Sequence, residues 1–446
     1  MALPTASEGS FRFPPGFLWG AATAAHQVEG DNRSNDWWPF EQAGKLPFKS
    51  GDACRHYELF ERDFDLAQTM GHNAHRFSIE WSRIEPRQGE WDLAAIEHYR
   101  AVIEALRRRG IEPVVTLHHF TNPAWFADAG GWLVRRNIAH FARYAEFVAK
   151  HLGDRVRWWL TINEPTVYAK NAFVAGQWPP CRQGEWGAAW RAIRNMGRAH
   201  RLAYDILHRQ RPDALVGFAH SAPLVMPRQP ARPVDRSCAL LRDLVLNRVP
   251  FLMMGGGRGR RLDFVGLNYY CRTLVHWQPR GTAALFGRDW LEDDQGEPRA
   301  FSDIGWEIYP AGLTRQLARF AQYGVPVLIT ENGLATTDEA QRLEFLRSHL
   351  RSLADAVTDG VPVVGYLYWS LMDNFEWSLG TGPRFGLAAT DFTTQERIPR
   401  AAAAYFTEVC KKNALPARPT AGGGPDDSAR RASRRTEIDS ATGPSG

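Results

Sequence analysis

The chain has 446 residues, of which 44% are hydrophobic and 23% are charged, and its formal net charge is +5 at pH 7. This is an ordinary globular composition, and a chain of this length buries enough surface to fold without a disulfide or metal staple. The basic residues are spread out rather than arranged in stripes, so the charge does not indicate a nucleic-acid partner.

The cysteines and the first residues bear on the compartment. The five cysteines lie far apart and form no CxxC or Cys/His spacing, and an odd, unpatterned set favours a reducing environment. The first residues show no basic region followed by an apolar one, and no run approaches the roughly 18 apolar residues of a membrane helix. We therefore expect a cytoplasmic protein with no membrane partner.

The body of the chain alternates short apolar runs with helical patterns. Helical spacing, in which apolar residues recur at three and four, is found for example over 93–110, 137–153 and 340–360. Eight runs are predicted strands: 17–23, 73–79, 113–119, 157–163, 214–220, 263–270, 326–332 and 363–370.

The apolar runs do not alternate with polar residues, which is typical of a parallel sheet covered by helices. Eight such units predict a protein of the α/β class with a single (β/α)8 TIM barrel that carries loop insertions. A doubly wound sheet is the alternative, but no GxGxxG motif follows the first strand.

Composition also predicts the domain boundaries. No break divides residues 11–410, so we predict one catalytic barrel there, after an N-terminal extension over 1–10. Residues 411–446 are small, polar and rich in Gly and Pro, which predicts a disordered C-terminal tail.

In a barrel of this kind the active site lies where the strands end. Polar and aromatic residues stand at or just after most of the predicted strand ends: Gln27, Arg76, His118, His119, Asn163, Glu164, Asn268, Tyr269, Tyr270, Glu331, Asn332, Trp369, Asp373, Glu376 and Trp377. Taken together they predict a ring of hydrogen-bonding groups in which one carboxylate follows the fourth strand and another lies at the seventh.

Two carboxyl groups facing each other across a cleft are what cleavage of a glycosidic bond requires. One must be protonated to donate to the leaving oxygen, and the other must be ionised to attack the anomeric carbon or to activate water. Arg76 and Tyr270 are candidates for keeping one of them ionised, since a cation or a hydrogen-bond donor stabilises a carboxylate. Pro165 is expected to bias Glu164 towards an extended backbone.

Seven motifs, in order along residues 11–408, resemble glycoside hydrolase family 1, the β-glucosidase and β-glycosidase family. They are AAHQVEG (24–30), HRFSIEWSRIEP (75–86), TINEP (161–165), VGLNYY (265–270), SDIGWEIYPAGL (302–313), ITENG (329–333) and YWSLMDNFEWSLGTGPRFGL (368–387). The resemblance implies a retaining enzyme that needs no cofactor and no metal.

The resemblance also implies a role for each matching residue. Glu164 would be the acid/base and Glu331 the nucleophile, with Arg76 and Tyr270 supporting the nucleophile. Retention implies a separation of about 5–5.5 Å between the two carboxyl groups. The implied substrate-binding residues are Gln27, His119, Asn163, Asn268, Tyr270, Trp369, Glu376 and Trp377.

Several positions differ from the family pattern or admit another interpretation. His119 is followed by Phe120 where the family usually has Trp, and His118 is predicted to pack structurally. A His118–His119 metal site is the rival interpretation, but no carboxylate follows at ligand spacing. Three tryptophans in predicted loops, Trp125, Trp178 and Trp186, are candidates for the aglycone side, which the small residues of SLGTGPRFGL indicate to be open.

The expected function is hydrolysis of terminal β-D-glucosyl residues from small β-glycosides through a covalent glycosyl-enzyme. Family members often accept galactosides and fucosides as well, so glucose is a preference. The alternatives are a transglycosylating β-glycosidase, a 6-phospho-β-glucosidase and a non-catalytic sugar-binding barrel. Trp377 and the absence of a cationic cradle around Pro383–Phe385 disfavour a phosphorylated sugar, and the intact glutamate pair disfavours the binding protein.

Overall fold

Eight apolar segments form the strands of a closed parallel barrel. A computed structural model describes residues 11–257, 259–291 and 299–416 of the protein. The barrel strands β1 to β8 are Leu18–Ala22, Ala74–Ser78, Glu112–His118, Trp158–Asn163, Leu215–Ser221, Val265–Asn268, Val327–Asn332 and Val363–Trp369. Each strand pairs in parallel with the next along the chain, and β8 pairs with β1. The predicted strands and the predicted barrel are confirmed.

Amphipathic helices cover the outside of the barrel. The main helices α1 to α8 are His56–Thr69, Leu93–Arg108, Ile138–Leu152, Trp186–Gln210, Pro233–Asp243, Pro310–Ala321, Glu339–Thr358 and Ala401–Lys412. Asp92 and Asp338 cap α2 and α7 by accepting backbone N–H groups of the first turn. No helix in these residue ranges is long and apolar enough to cross a membrane.

The barrel interior is filled below the level of the strand ends. One buried cluster collects apolar side chains from the strands or the residues beside them: Ala74, Val114, Leu160, Ala219, Phe264, Leu328 and Leu367. A much larger apolar cluster lies between the strands and the helices. Packed layers of this kind close the lower part of a barrel, so that only its upper end can hold a ligand.

The remaining elements are insertions and connections around this frame. Short helices are Ala25–Val28, Trp37–Gln42, Trp81–Ile84, Ala124–Asp128, Gly131–Leu133, Arg135–Asn137, Gly153–Arg155, Pro165–Ala169, Lys170–Val174, Leu244–Arg248, Val249–Phe251, Leu252–Gly256, Ala283–Phe286 and Trp377–Leu379. Leu224–Pro227, Arg272–His276 and Arg288–Asp289 form a small three-stranded sheet, and Ala388–Thr390 pairs with Arg397–Pro399.

The two ends of the described chain meet. Phe11–Arg12 and Ala414–Leu415 pair as antiparallel strands, and α8 extends to Lys412. The predicted start of the disordered tail, at residue 411, is therefore too early. Residues 411 and 412 complete α8, and Ala414–Leu415 pairs with Phe11–Arg12. The predicted extension over 1–10 and the rest of the predicted tail lie outside the described residues.

Two glycines of α4 allow a matched test of its packing. A Cβ added to Gly197 would lie 2.3 Å from the Met253 carbonyl oxygen, whereas one added to Gly187 would meet nothing within 4 Å. We expect Gly197→Ala to lower the free energy of unfolding by about 1–3 kcal/mol through overpacking. Gly187→Ala should leave it unchanged or raise it by up to ~1 kcal/mol through helix propensity. Urea unfolding measures both, and equal midpoints for the two variants would contradict this packing.

Candidate active site

The carboxyl ends of the strands surround a cavity of about 480 Å³. The predicted residues that line it are Gln27, His119, Glu164, Asn268, Tyr270, Glu331, Trp369, Glu376 and Trp377. Arg76 and Asn163 lie beneath them, buried, and hydrogen-bond to this set. The structure thus brings together the residues to which the family resemblance assigned catalytic and substrate-binding roles.

Glu331 at the end of β7 is held by two donors, one for each carboxylate oxygen. The Arg76 guanidinium donates to Oε1, and the Tyr270 hydroxyl donates to Oε2 at 2.6 Å. Burial, with the charges of both glutamates, holds the pKa of Tyr270 well above its usual value, so its hydroxyl remains a donor. The arrangement stabilises Glu331 as an anion in a fixed orientation.

Glu164 lies in a different environment. It accepts a hydrogen bond from the Asn268 amide at 2.9 Å and one from the Ser221 hydroxyl. Burial, followed by the negative charge of Glu331, raises the pKa of Glu164 to about 8. Glu164 is therefore protonated at neutral pH while Glu331 faces a cation, which separates an acid from an anion within one cavity.

The prediction that Pro165 biases Glu164 towards an extended backbone is wrong. The φ of Glu164 is +41° and its ψ is +61°, in the left-handed region, and Pro165 begins the helix Pro165–Ala169. A following proline disfavours the right-handed helical conformation, and the chain avoids that conformation by the left-handed alternative. The Glu164 N–H donates to the Ala219 carbonyl of β5, which holds this turn against the barrel. A non-glycine residue with this φ is strained and persists only where its surroundings fix it.

Arg76 on β2 links several strands in the floor of the cavity. It is fully buried and donates to Asn163 Oδ1 at 2.7 Å, to Thr116 Oγ1 at 3.1 Å and to the Thr330 carbonyl at 3.2 Å. With Glu331, these contacts give each guanidinium nitrogen a protein partner, as a buried cation requires.

A third buried carboxyl group, that of Glu376, also lines the cavity. Glu376 accepts from the Trp369 indole N–H at 3.2 Å and lies beside Gln27. Burial raises the pKa of Glu376 to about 8. Gln27 donates to the Phe375 carbonyl at 2.9 Å, and its Oε1 atom is buried without a partner among the described residues.

Three rings that line the cavity are roughly parallel. His119 lies 6.0 Å from Trp369 and 6.2 Å from Trp377, measured between ring centroids, with interplanar angles of 14° and 8°. Burial, with the charge of Arg76, holds the pKa of His119 well below its usual value. His119 is therefore neutral, and its Nε2 atom accepts from the Asn163 amide at 3.2 Å. Its Nδ1 atom then carries the proton, buried and without a protein partner in the described chain.

The two sequence neighbours of His119, His118 and Phe120, both contact other side chains of the protein. His118 is buried and pairs with the Asn122 amide oxygen at 3.0 Å, which is a packing role. Within the described ranges, no group of His, Cys, Asp and Glu side chains could hold a metal ion. Phe120 packs against Trp178 and Trp377, with ring centroids 4.8 Å and 5.2 Å away.

Sequence reasoning missed one residue of the site, Ser221, and did not distinguish another, Trp178, from its rivals. Ser221 ends β5, and the rule that polar residues at strand ends form the site would have identified it, but the predicted strand stopped at 220. Trp178 was only one of three loop candidates, and it is the buried one that lines the cavity beside Trp377. Trp125 packs on Trp81 instead, and Trp186 lies in a neighbouring groove.

Known proteins share both this fold and this sequence pattern. The model of glycosyl hydrolase family 1 matches residues 10–251 and 259–415. Beta-glucosidase A of Thermotoga maritima is 32% identical, and the match covers 91% of this chain and 99% of that protein. The solved beta-glycosidase from Pyrococcus horikoshii has 39% identity and a TM-score of 0.85, with 91% of this chain and 96% of that one covered. A 6-phospho-beta-galactosidase of Staphylococcus haemolyticus is 30% identical, over 91% of this chain and 99% of that protein.

The barrel and its pair of unlike carboxyl groups define a glycoside hydrolase. The chain belongs to glycosyl hydrolase family 1, and the predicted family is confirmed.

The raised pKa of Glu376 gives a prediction for stability. Because the folded protein keeps this proton to about pH 8 and the unfolded chain loses it near 4.5, the contribution of Glu376 to stability is lost as pH rises between these values. We expect Glu376→Gln to flatten the fall in unfolding free energy from pH 5 to 7.5, by up to ~1.4 kcal/mol per pH unit. Exposed Glu97 on α2 supplies the control Glu97→Gln, which should follow the wild-type slope. Parallel curves for wild type and Glu376→Gln would show that Glu376 is ionised in the folded protein.

Proposed function

We propose that the protein is a retaining β-glycosidase that hydrolyses terminal, non-reducing β-D-glucosyl residues of small β-glycosides. The observation that carries the proposal is the contrast between the two glutamates. Glu331 is an anion held by Arg76 and Tyr270, and Glu164 is a buried acid with a pKa raised to about 8. A nucleophile and an acid on the two sides of one cavity are what double displacement requires.

In the first step, a Glu331 carboxylate oxygen bonds to the anomeric carbon as the bond from that carbon to the leaving oxygen breaks. Glu164 donates its proton to the leaving oxygen, so the aglycone departs as a neutral alcohol. In the second step, Glu164 takes a proton from water, the water oxygen bonds to the anomeric carbon, and Glu331 is released as a carboxylate. Two inversions give a sugar with its original configuration.

The charges favour this order of events. The negative charge of Glu331 is one of the causes of the high pKa of Glu164. In the glycosyl-enzyme Glu331 is a neutral ester, and that cause disappears. The pKa of Glu164 then falls, and the residue ionises in time to act as the base for water. We keep a separation of about 5–5.5 Å between the two carboxyl groups as a prediction of this mechanism.

The other predicted residues are proposed to bind the sugar. Gln27 Oε1 and His119 Nδ1 are buried polar atoms that no protein group satisfies in the described chain, and both residues line the cavity. Sugar hydroxyls would supply the missing partners, since leaving such atoms unpaired costs about 1–3 kcal/mol each. Glu376 and Asn163 supply further hydroxyl contacts, and Trp369 and Trp377 present ring faces to the sugar.

Transfer to an alcohol instead of water uses the same two glutamates. The outcome depends on whether water or an alcohol reaches the glycosyl-enzyme first, and product analysis with an added alcohol separates the two reactions.

For the compartment we propose the cytoplasm, supported by the five cysteines, all of which are free thiols in the structure.

The roles of the glutamates can be separated by matched variants. We expect Glu331→Ala to lower turnover of an aryl β-glucoside by at least ~10⁴-fold, because the attacking oxygen is gone. Added azide should restore part of the turnover and give the α-configured glycosyl azide, since only one inversion then occurs. Product configuration is read by NMR.

Glu164→Ala is the companion variant. It keeps the nucleophile, so an aryl glucoside with a good leaving group should still form the glycosyl-enzyme, and azide should give the β-configured product. Thermal unfolding of both variants checks that they are folded. Undiminished hydrolysis by Glu331→Ala, or the same product configuration from both variants, would reject the assignment.

The glycone is tested with an aryl β-glucoside and its 6-phosphate. Trp377 lines the wall of the cavity. Arg384, the cation that is nearest to Trp377 in sequence, pairs with Asp373 at 3.6 Å, so its charge is already partly neutralised. We expect kcat/KM of the wild-type enzyme to favour the unphosphorylated glucoside by ~100-fold or more, because an unpaired buried charge costs several kcal/mol. A preference for the phosphate would overturn the proposed glycone and leave the mechanism intact.

A further inference from the structure

A second cavity, of about 690 Å³, lies beside the catalytic one. We call it the side groove, and its walls are mainly apolar: Trp186, Trp190, Ile193, Val245, Leu246 and Phe286. The first three come from α4 and the next two from Leu244–Arg248. Trp186 and Phe286 stack with their centroids 5.5 Å apart at 15°, which joins α4 to the helix Ala283–Phe286. Its size and lining are those of a ligand site.

The side groove is continuous with the catalytic cavity. Thr166, Lys170, Leu246, Trp290 and Leu291 belong to the walls of both. Thr166 follows Glu164 by two residues, so the junction lies on the side of the proposed acid. The leaving oxygen must approach that acid to receive its proton. The aglycone attached to that oxygen is therefore directed towards the side groove.

Two of the side chains that line the groove are exposed apolar residues: Leu291 is 61% exposed and Trp186 is 38% exposed. Leu244 and Leu285 are each next in sequence to a lining residue, and they are 36% and 60% exposed. Single exposed apolar residues need no explanation, but a group of them at the rim of an apolar groove marks a surface that binds apolar groups.

The charged groups at the junction do not call for a charged ligand. Arg242 of α5 pairs with Asp289 at 2.5 Å, so the two charges neutralise each other. Lys170 lies exposed at the edge, where its ammonium group remains in water. A further sugar is the rival occupant, since Thr166, Gln278 and Thr282 also line the groove. Apolar side chains outnumber polar ones in its walls, however, and burying hydroxyl groups against them without partners is unfavourable.

We propose that the side groove binds an apolar chain of the aglycone, so that the preferred substrates are β-glycosides of amphiphilic alcohols with a long alkyl chain. The sugar occupies the catalytic cavity, the glycosidic oxygen lies at Glu164, and the chain runs past Thr166 and Leu246 into the groove. This inference rests on the proposed β-glycosidase function and specifies its substrate class.

The test measures kcat/KM for methyl, butyl, hexyl and octyl β-glucosides below their micelle concentrations. Each buried methylene contributes about threefold to fourfold. We expect the octyl-to-methyl ratio for the wild-type enzyme to reach at least ~100-fold. A ratio near one would overturn the proposal, and the β-glycosidase assignment would stand if all four glucosides are cleaved.

Variants locate the binding of the chain. Val245→Asp places a charge in the groove and should reduce the octyl-to-methyl ratio to near one, and Trp186→Ala should reduce it by about tenfold. Leu291→Ser and Leu93→Ser form a matched pair of exposed leucines, 61% and 62% exposed, of which only the first lines the groove. Leu291→Ser should lower the ratio, and Leu93→Ser should keep the wild-type value.

Two other outcomes count against the proposal. An unchanged chain-length dependence in both Val245→Asp and Trp186→Ala would show that the chain binds elsewhere. Failure of the wild-type enzyme to cleave any aryl or alkyl glycoside would overturn the β-glycosidase function, and this inference with it.

Discussion

The site depends on the burial of one guanidinium group. Arg76 is fully removed from water in the floor of the cavity, and a buried cation needs a counterion and partners for its other donors. Glu331 is the counterion, while Asn163, Thr116 and Thr330 accept the remaining donors. This pairing fixes where the negative charge of the site resides. Glu164 lies in the same desolvated space, where it is hydrogen-bonded to the neutral side chains of Asn268 and Ser221, and it keeps its proton. Glu331 is ionised and Glu164 is protonated because the single buried arginine, Arg76, pairs with Glu331.

The barrel separates the parts that must be rigid from the parts that can vary. Apolar layers fill its lower half, and strand ends present Arg76, Asn268 and Glu331 on a fixed frame. The side groove, in contrast, is built from α4 and from the segments that follow β5 and β6. The proposed bond cleavage therefore uses residues of the strands, and the proposed binding of the aglycone uses α4 and segments outside the strands. A family can keep the first and change the second without disturbing the core.

The sequence predicted the strands because each is a short apolar run without polar alternation, and it located Glu164 and Glu331 because strand ends share one face of a barrel. The backbone of Glu164 could not be predicted: Pro165 excludes one conformation, but the hydrogen bond to Ala219 that fixes the remaining choice joins residues far apart in sequence. Trp178 and Trp186 looked alike as loop tryptophans, and only tertiary packing places one in the catalytic cavity and the other in the side groove. The groove itself joins α4 to residues near 245 and 286, a combination that no local pattern reveals.

The proton on Glu376 has a consequence for how a sugar is recognised. A carboxylate can only accept hydrogen bonds, whereas a carboxylic acid can accept through one oxygen and donate through the other. Glu376 already accepts from the Trp369 indole, and its proton remains available for a hydroxyl oxygen. Such a group can bind a sugar hydroxyl in either orientation, as the donor or as the acceptor of the hydrogen bond. Because Glu376 keeps this proton only to about pH 8, sugar binding above that pH would require proton uptake, and its heat would then vary with the ionisation enthalpy of the buffer.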